Sequence, residues 1–304
     1  MYEVYTAISE VNAGNSKDEE IMLASGKAIS PGAAAHCLLE FRRTAVFLRG
    51  IYKAIQSITW RKQNRPVSIF YAGCGPYATL VTPLFTLFTP DQLQTSFLDI
   101  NQTSLSSAQK IVTSLGMEKY VRTYHLEDGA TCELPPGCDW DIVISETMQA
   151  CLDNEPQIAI MQNLIPQMRE DAVFIPEEIS IDGYLTDPKQ EMDKYLYSDQ
   201  PKTPVDRIFL GNILKFNKEC LKSNNFNGEV TIPDNISTCI DLKLFTTVKV
   251  FADELLSEND SSITMPKKYY EFKERYAHRI RFWYDQTTVP KIECNVTEFT
   301  SLAP

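Results

Sequence analysis

A chain of 304 residues has room for one large domain or two of ordinary size. Its apolar content of 43% is that of a globular protein and excludes disorder, and no run of about 18 apolar residues offers a membrane span. A net charge of −11 is unsuited to gripping phosphate backbones, so nucleic acid is excluded as a partner and a neutral or cationic substrate is favoured.

The first residues, Met1-Tyr2-Glu3-Val4-Tyr5, have neither a basic region nor an apolar core, which argues against an ordinary signal peptide. Eight cysteines without a CxxC pair or zinc-type spacing read as free thiols in a reducing cytosol, with no metal site. A cytoplasmic location is the expectation.

The polar, Gly/Ser-containing stretch up to Ile29 is expected to be poorly anchored. Ser30-Pro31 then supplies an N-cap and a proline at the first helical position. From there Leu38, Phe41, Ala45, Leu48, Tyr52 and Ile55 recur at three- and four-residue steps and predict the buried stripe of an amphipathic helix. Residues 68–72 form a short apolar run that ends in a glycine turn and predict a strand. Residues 78–88 predict a helix, with Pro83 in its first turns or at a kink. A second strand is predicted at 95–100, then a helix at 104–115 stopped by Gly116. Strands at 121–126 and 141–145, a helix marked by Ile158, Met161, Leu164 and Met168, and a strand at 172–175 complete the alternation.

Strands alternating with helices predict an α/β fold: a Rossmann-like, mostly parallel sheet preceded by helices, with its ligand beyond the carboxyl ends of the strands. After about residue 180 the pattern changes to period-two alternation, at Leu242–Val250, Ile280–Tyr284 and Ile292–Val296. That predicts a smaller, mainly β domain. The expected division is 1–65 as a helical segment completing the site, 66–180 as the Rossmann-like domain and 181–304 as the β domain. Residues 186–235 fit no scheme.

The first strand runs into Gly73-Cys74-Gly75-Pro76-Tyr77-Ala78. Glycines there let the backbone turn tightly and approach a ligand closely. Asp99 ends the second strand, where a carboxylate accepts both hydroxyls of a ribose. Glycine turn and aspartate suit the adenosine of S-adenosylmethionine or of NAD equally. Glu127-Asp128-Gly129-Ala130 closes the third strand.

The stretch Asp141-Ile142-Val143-Ile144-Ser145-Glu146-Thr147-Met148, followed by Cys151-Leu152 and Glu155, resembles the double-glutamate loop of the protein arginine methyltransferases. The likeness continues to Val173-Phe174-Ile175-Pro176. Upstream, Glu40-Phe41-Arg42-Arg43-Thr44 with Phe47 resembles that family's acidic-x-x-Arg-Thr-x-x-aromatic helix. The resemblance, over roughly residues 35–180, implies a class I methyltransferase using S-adenosylmethionine. It gives Arg43 the carboxylate of the cofactor's methionine portion, Asp128 the adenine amino group, and Glu146 and Glu155 the methyl acceptor. An NAD enzyme would have no use for that arginine. Paired carboxylates suit a planar guanidinium, localising its charge away from the attacking nitrogen.

The sequence also departs from the family. Tyr71 stands at its first-strand acid and Thr147 at the aromatic after the first loop glutamate; no histidine lies in a Thr-His-Trp context, and Tyr2 and Tyr5 are poor substitutes for its paired tyrosines. The acceptor is thus a peptide or a small molecule, with nitrogen the leading nucleophile. An O-methyltransferase with a glutamate or His278 as base, and a non-catalytic scaffold, are the alternatives. The family's dimerisation arm would fall at 186–206, making a homodimer the partner expectation.

Overall fold

A computed structural model of the chain describes residues 1–14, 20–61, 65–135, 139–196, 205–223, 226–272, 278–287 and 289–298. It opens with helix α1 (Tyr2–Ser9), the hairpin β1 (Ile21–Leu23) and β2 (Gly26–Ala28), helix α2 (Pro31–His36) and the long helix α3 (Phe41–Arg61). The parallel sheet follows: β3 (Val67–Ala72), β4 (Leu93–Asp99), α4 (Gln102–Ser114), β5 (Val121–Leu126), β6 (Ile142–Ser145), α5 (Gln157–Leu164) and β7 (Val173–Ile175). Its strand order is β5-β4-β3-β6-β7, all parallel, with every residue of β3 and β6 buried. β3 is where the winding reverses, so the crevice at its carboxyl end is the expected ligand position.

The remaining chain is antiparallel. Strands β8 (Glu178–Thr186), β9 (Arg207–Asn217), β11 (Asp241–Phe251), β12 (Glu254–Leu256) and β13 (Lys267–Glu271) form one sheet; β10 (Asn227–Thr231), β14 (His278–Asp285) and β15 (Lys291–Glu298) form another. Short helices α6 (Pro188–Leu196) and α7 (Lys218–Ser223) lie between its strands. The α/β sheet with preceding helices and a following β region is the architecture the alternation predicts. Among the described residues no helix is long and apolar enough to cross a membrane.

Three elements differ from expectation. The predicted helix at 78–88 is a turn followed by a 3-10 helix at Thr82–Thr86, because Ala78 has a positive φ and Pro83 opens the next turn. The stripe along α3 is rotated. Phe41 is 82% exposed, and the buried face carries Thr44, Phe47, Ile51 and Ile58 along with the expected Ile55. Leu38 belongs to a separate 3-10 turn, so the period begins afresh after Glu40 and turns Arg43 inward. Finally, residues 1–14 are anchored. Tyr5 is buried with its hydroxyl 2.9 Å from Thr82 Oγ1, and both Tyr2 and Tyr5 pack edge-on against Tyr77 of the glycine turn.

α3 ties the two halves together. Gly50 lies so close to Val250 of β11 that a Cβ there would sit 2.5 Å from Val250 Cγ1, and Arg49 and Lys53 both reach Glu254. In the unread stretch after 186, α6 folds back on its own sheet: Arg207 pairs with Glu191 at 2.7 Å and with Glu258 at 2.6 Å, and Lys194 reaches Glu258. Residues 197–204 of the expected arm lie outside the described residues.

Candidate functional site

A cavity of about 650 Å³ opens over the carboxyl ends of β3, β4 and β6, within the roughly 300–1,000 Å³ range of cofactor sites. Arg43, Gly73, Gly75, Asp99, Asp128, Glu146 and Glu155 all line it, so the fold brings these seven residues together.

One end is built by the strand termini. Gly73 has φ +71°, and a Cβ there would run into Thr147 Cγ2, so only glycine lets the turn pass under the β6 loop. Asp99 Oδ2 accepts the Gly75 N–H at 2.8 Å and Oδ1 accepts that of Asn101 at 2.8 Å. The aspartate therefore shapes the glycine turn as well as facing the cavity, and each oxygen keeps a lone pair for a hydroxyl donor. Burial pushes its carboxyl up to about 6, against the opposing backbone N–H donors. Asp128 is half-buried, and one of its oxygens accepts the Ala130 N–H at 2.8 Å. Tyr77, in the same turn, donates to the Val11 carbonyl at 2.6 Å, so α1 and its continuation seat the turn from outside.

The other end is built by side chains far apart in sequence. Arg43 is buried and lies between Glu40, at 3.1 Å, and Glu146, which its Nη2 contacts directly. Burial opposes the guanidinium charge, yet Glu146 and Glu40 outweigh it and hold the proton more firmly than usual. Glu40 is itself held below the usual carboxylate range by the Ser262 N–H and Arg43, which overcome its burial. Arg43 engages only one oxygen of Glu146. The other, Oε1, is buried without a hydrogen-bond partner among the described residues, and an orphaned carboxylate oxygen is costly unless a donor arrives. Glu155, 7% exposed, is pushed up to about 7 by burial and by the charge of Glu146, with Gln149, Arg43 and Lys27 opposing.

The loop between the two glutamates is under backbone strain. Cys151, Leu152 and Asn154 all have φ near +60°, which typically costs about 1–3 kcal/mol per residue. Contacts from the antiparallel half hold it there: Cys151 N–H donates to Thr246 Oγ1 at 2.9 Å, Tyr284 OH to the Leu152 carbonyl at 2.9 Å, and Asn154 N–H to the Pro290 carbonyl at 2.7 Å. Gln157 closes the loop by accepting the Thr147 N–H at 2.8 Å and donating to the Ser145 carbonyl at 3.1 Å. Strain that so many partners over-determine is characteristic of positioned functional groups.

Sequence reasoning missed several lining residues. Lys27 comes from the hairpin, Gln149 from the loop, Ser262, Ile263 and Met265 from a turn of the antiparallel half, and Lys267 from the start of β13. Only their convergence in space marks them. The departures are placed too. Tyr71 lines the cavity, buried, with burial pushing its phenol up, so β3 contributes no charge. Tyr2 and Tyr5 reach Tyr77 rather than the cavity. The side chain of His278 lies outside the described residues. Among the described residues no cluster of His, Cys, Asp and Glu fits a metal ion.

No family model matches the chain, and no curated protein matches it in sequence. Solved structures do match it in fold. The PRMT1 enzyme–prozyme heterotetrameric complex of Trypanosoma brucei with AdoHcy superposes with a TM-score of 0.56 at 14% identity, over 88% of this chain and 93% of that one. PRMT6 superposes at 0.58 and 9% identity over 87% and 99% of the two chains, and PRMT6-SAH at 0.54 and 9% over 84% and 96%. Identities this low carry the fold and nothing finer. The chain has the fold of the protein arginine methyltransferases, a class I methyltransferase sheet followed by an antiparallel β region.

Proposed function

We propose that this chain transfers a methyl group from S-adenosylmethionine to a nitrogen of a peptide or small-molecule acceptor. The observation that carries the proposal is the orphaned Oε1 of Glu146. A buried carboxylate, half satisfied by Arg43, faces the same cavity as the glycine turn and Asp99. Two of the structural neighbours hold AdoHcy or SAH, the product left when S-adenosylmethionine gives up its methyl group.

On this reading Asp99 binds the ribose, Asp128 the adenine and Arg43 the carboxylate of the methionine portion, and Gly73 and Gly75 leave room for the backbone to approach. When bound, S-adenosylmethionine supplies a methyl on a sulfonium; the N–C bond forms as the S–C bond breaks, and its electron pair stays on sulfur. Glu146 and Glu155 orient the acceptor nitrogen, and Glu155, poised near neutrality, takes the proton that nitrogen loses. Residues 1–65, 66–180 and 181–304 then serve as site-completing helices, cofactor domain and acceptor-side domain. Self-association is the parallel proposal from the heterotetrameric trypanosome neighbour, checked by sedimentation.

The test is calorimetric titration with S-adenosylhomocysteine, S-adenosylmethionine and NADPH in turn. Micromolar binding of the first two and none of the third is expected. Silence from the first two would overturn the reading, and binding of NADPH alone would make the chain an oxidoreductase.

A further inference from the structure

The acceptor end of the cavity holds more than carboxylates. Lys27 lines it from the hairpin: its backbone N–H donates to the Asn154 carbonyl at 2.7 Å, and its charge opposes the burial of Glu155. Gly26 beside it sits so close that a Cβ would lie 2.8 Å from the Asn154 carbonyl oxygen and 3.1 Å from the carbonyl carbon of Glu155. Lys267 lines the cavity from the antiparallel half, and its ammonium grips Asp153 Oδ2 at 2.5 Å, two residues before Glu155.

The segment carrying Glu155 is therefore touched by two lysines from two unrelated parts of the fold, Lys27 through its backbone and Lys267 through its ammonium. Each has three N–H donors. Among the described residues, Lys27 spends one on Glu20 and Lys267 one on Asp153. Both lysines line the same cavity as Glu146 and its orphaned oxygen. With Lys27 and Lys267 on the same cavity as Glu146 and Glu155, the lining offers ammonium donors as well as carboxylates. The same arrangement matches a molecule with a basic nitrogen at one end and a carboxylate at the other.

Resting on the methyl-transfer reading, we propose that the acceptor is a small zwitterion, a free amino acid with a basic side chain. Its nitrogen meets Glu146 and Glu155, and its carboxylate meets Lys27 and Lys267.

The experiment is calorimetry on the full chain saturated with S-adenosylhomocysteine. L-arginine, L-histidine and L-lysine are titrated in, each beside its carboxamide, which keeps the side chain and removes the carboxylate. At least one free amino acid is expected to bind ten times more tightly than its amide or better. Lys267→Met is expected to erase that preference while leaving affinity for S-adenosylhomocysteine unchanged. Retained cofactor affinity shows that the variant is folded; if it is lost, Lys27→Met, whose partner Glu20 is exposed, gives the same reading. Amides binding as well as free acids, or no panel member binding to a protein that holds S-adenosylhomocysteine, overturns the zwitterion assignment and leaves the cofactor reading standing. Failure to bind S-adenosylhomocysteine at all is failure of the methyl-transfer reading instead.

Discussion

Replacing Glu155 by glutamine gives a stability change whose size depends on pH. Burial beside Glu146 moves the Glu155 carboxyl from 4.5 to about 7 in the fold. The native state thus binds the proton more tightly than the unfolded chain. Stability contributed by this group is fully present below pH 4.5 and is lost as pH rises through 7. Each tenfold difference in proton affinity is worth about 1.4 kcal/mol, so keeping Glu155 ionised costs the fold about 3 kcal/mol above neutrality. Glutamine keeps the shape and a hydrogen-bonding partner for Gln149 without that charge. Ligand-free wild type and Glu155→Gln should have similar stabilities at pH 4.5, and the variant should lead by roughly 3 kcal/mol at pH 8. Urea denaturation of both proteins across pH 4.5–8 measures the difference, and subtraction removes every other titrating group. A gap that stays flat with pH would refute the argument that Glu155 is a carboxylate held against its own solvation.

Asp99→Ala and Arg43→Ala should each weaken S-adenosylhomocysteine binding by about 1–3 kcal/mol in calorimetry; unchanged affinity in both breaks the site assignment. Because ribose hydroxyls favour the ionised carboxylate and Asp99 titrates near 6, wild-type affinity should climb between pH 5 and 7 and level off above. A flat profile would place the ribose elsewhere. Glu146→Gln should abolish methyl transfer to any acceptor found while sparing S-adenosylhomocysteine affinity, and an active variant would remove Glu146 from the chemistry. Gly73→Ala, at φ +71° and against Thr147, should lower the thermal midpoint and cofactor affinity together; a variant that melts like wild type and binds normally would contradict the packing described.

The legible parts of the fold were those dictated by local pattern. Apolar runs buried on both faces announce β3 and β6, and alternation announces β11, β14 and β15, because period and burial are the same fact seen twice. The misreadings came where tertiary contact overrides the local signal. The register of α3 follows from Arg43 needing to meet Glu146, 103 residues away, and no helical wheel contains that requirement. Tyr2 and Tyr5 read as loose chain, yet their partner is Tyr77, which the sequence presents only as part of a glycine turn. Residues 186–235 carry no clear local pattern because short helices interrupt their strands and β10 pairs with β14, some fifty residues further along the chain.

The same division runs through the site. Glycine turn, Asp99 and Asp128 are legible because each sits at a strand end, where the topology of a parallel sheet dictates that ligands gather. Glu146 shares that position, but what it does depends on Arg43 and on an oxygen left without a donor. Lys27 and Lys267 carry no signal in sequence at all, being two lysines among many on an acidic protein. Their meaning comes from the strained loop between them. Three residues at positive φ would relax if the loop were free, and Thr246, Tyr284, Pro290 and the Lys27 backbone prevent it. The antiparallel half therefore does more than cover one side of the cavity. It holds Glu155 in a place that its solvation does not favour, at the end of a loop whose backbone is itself strained.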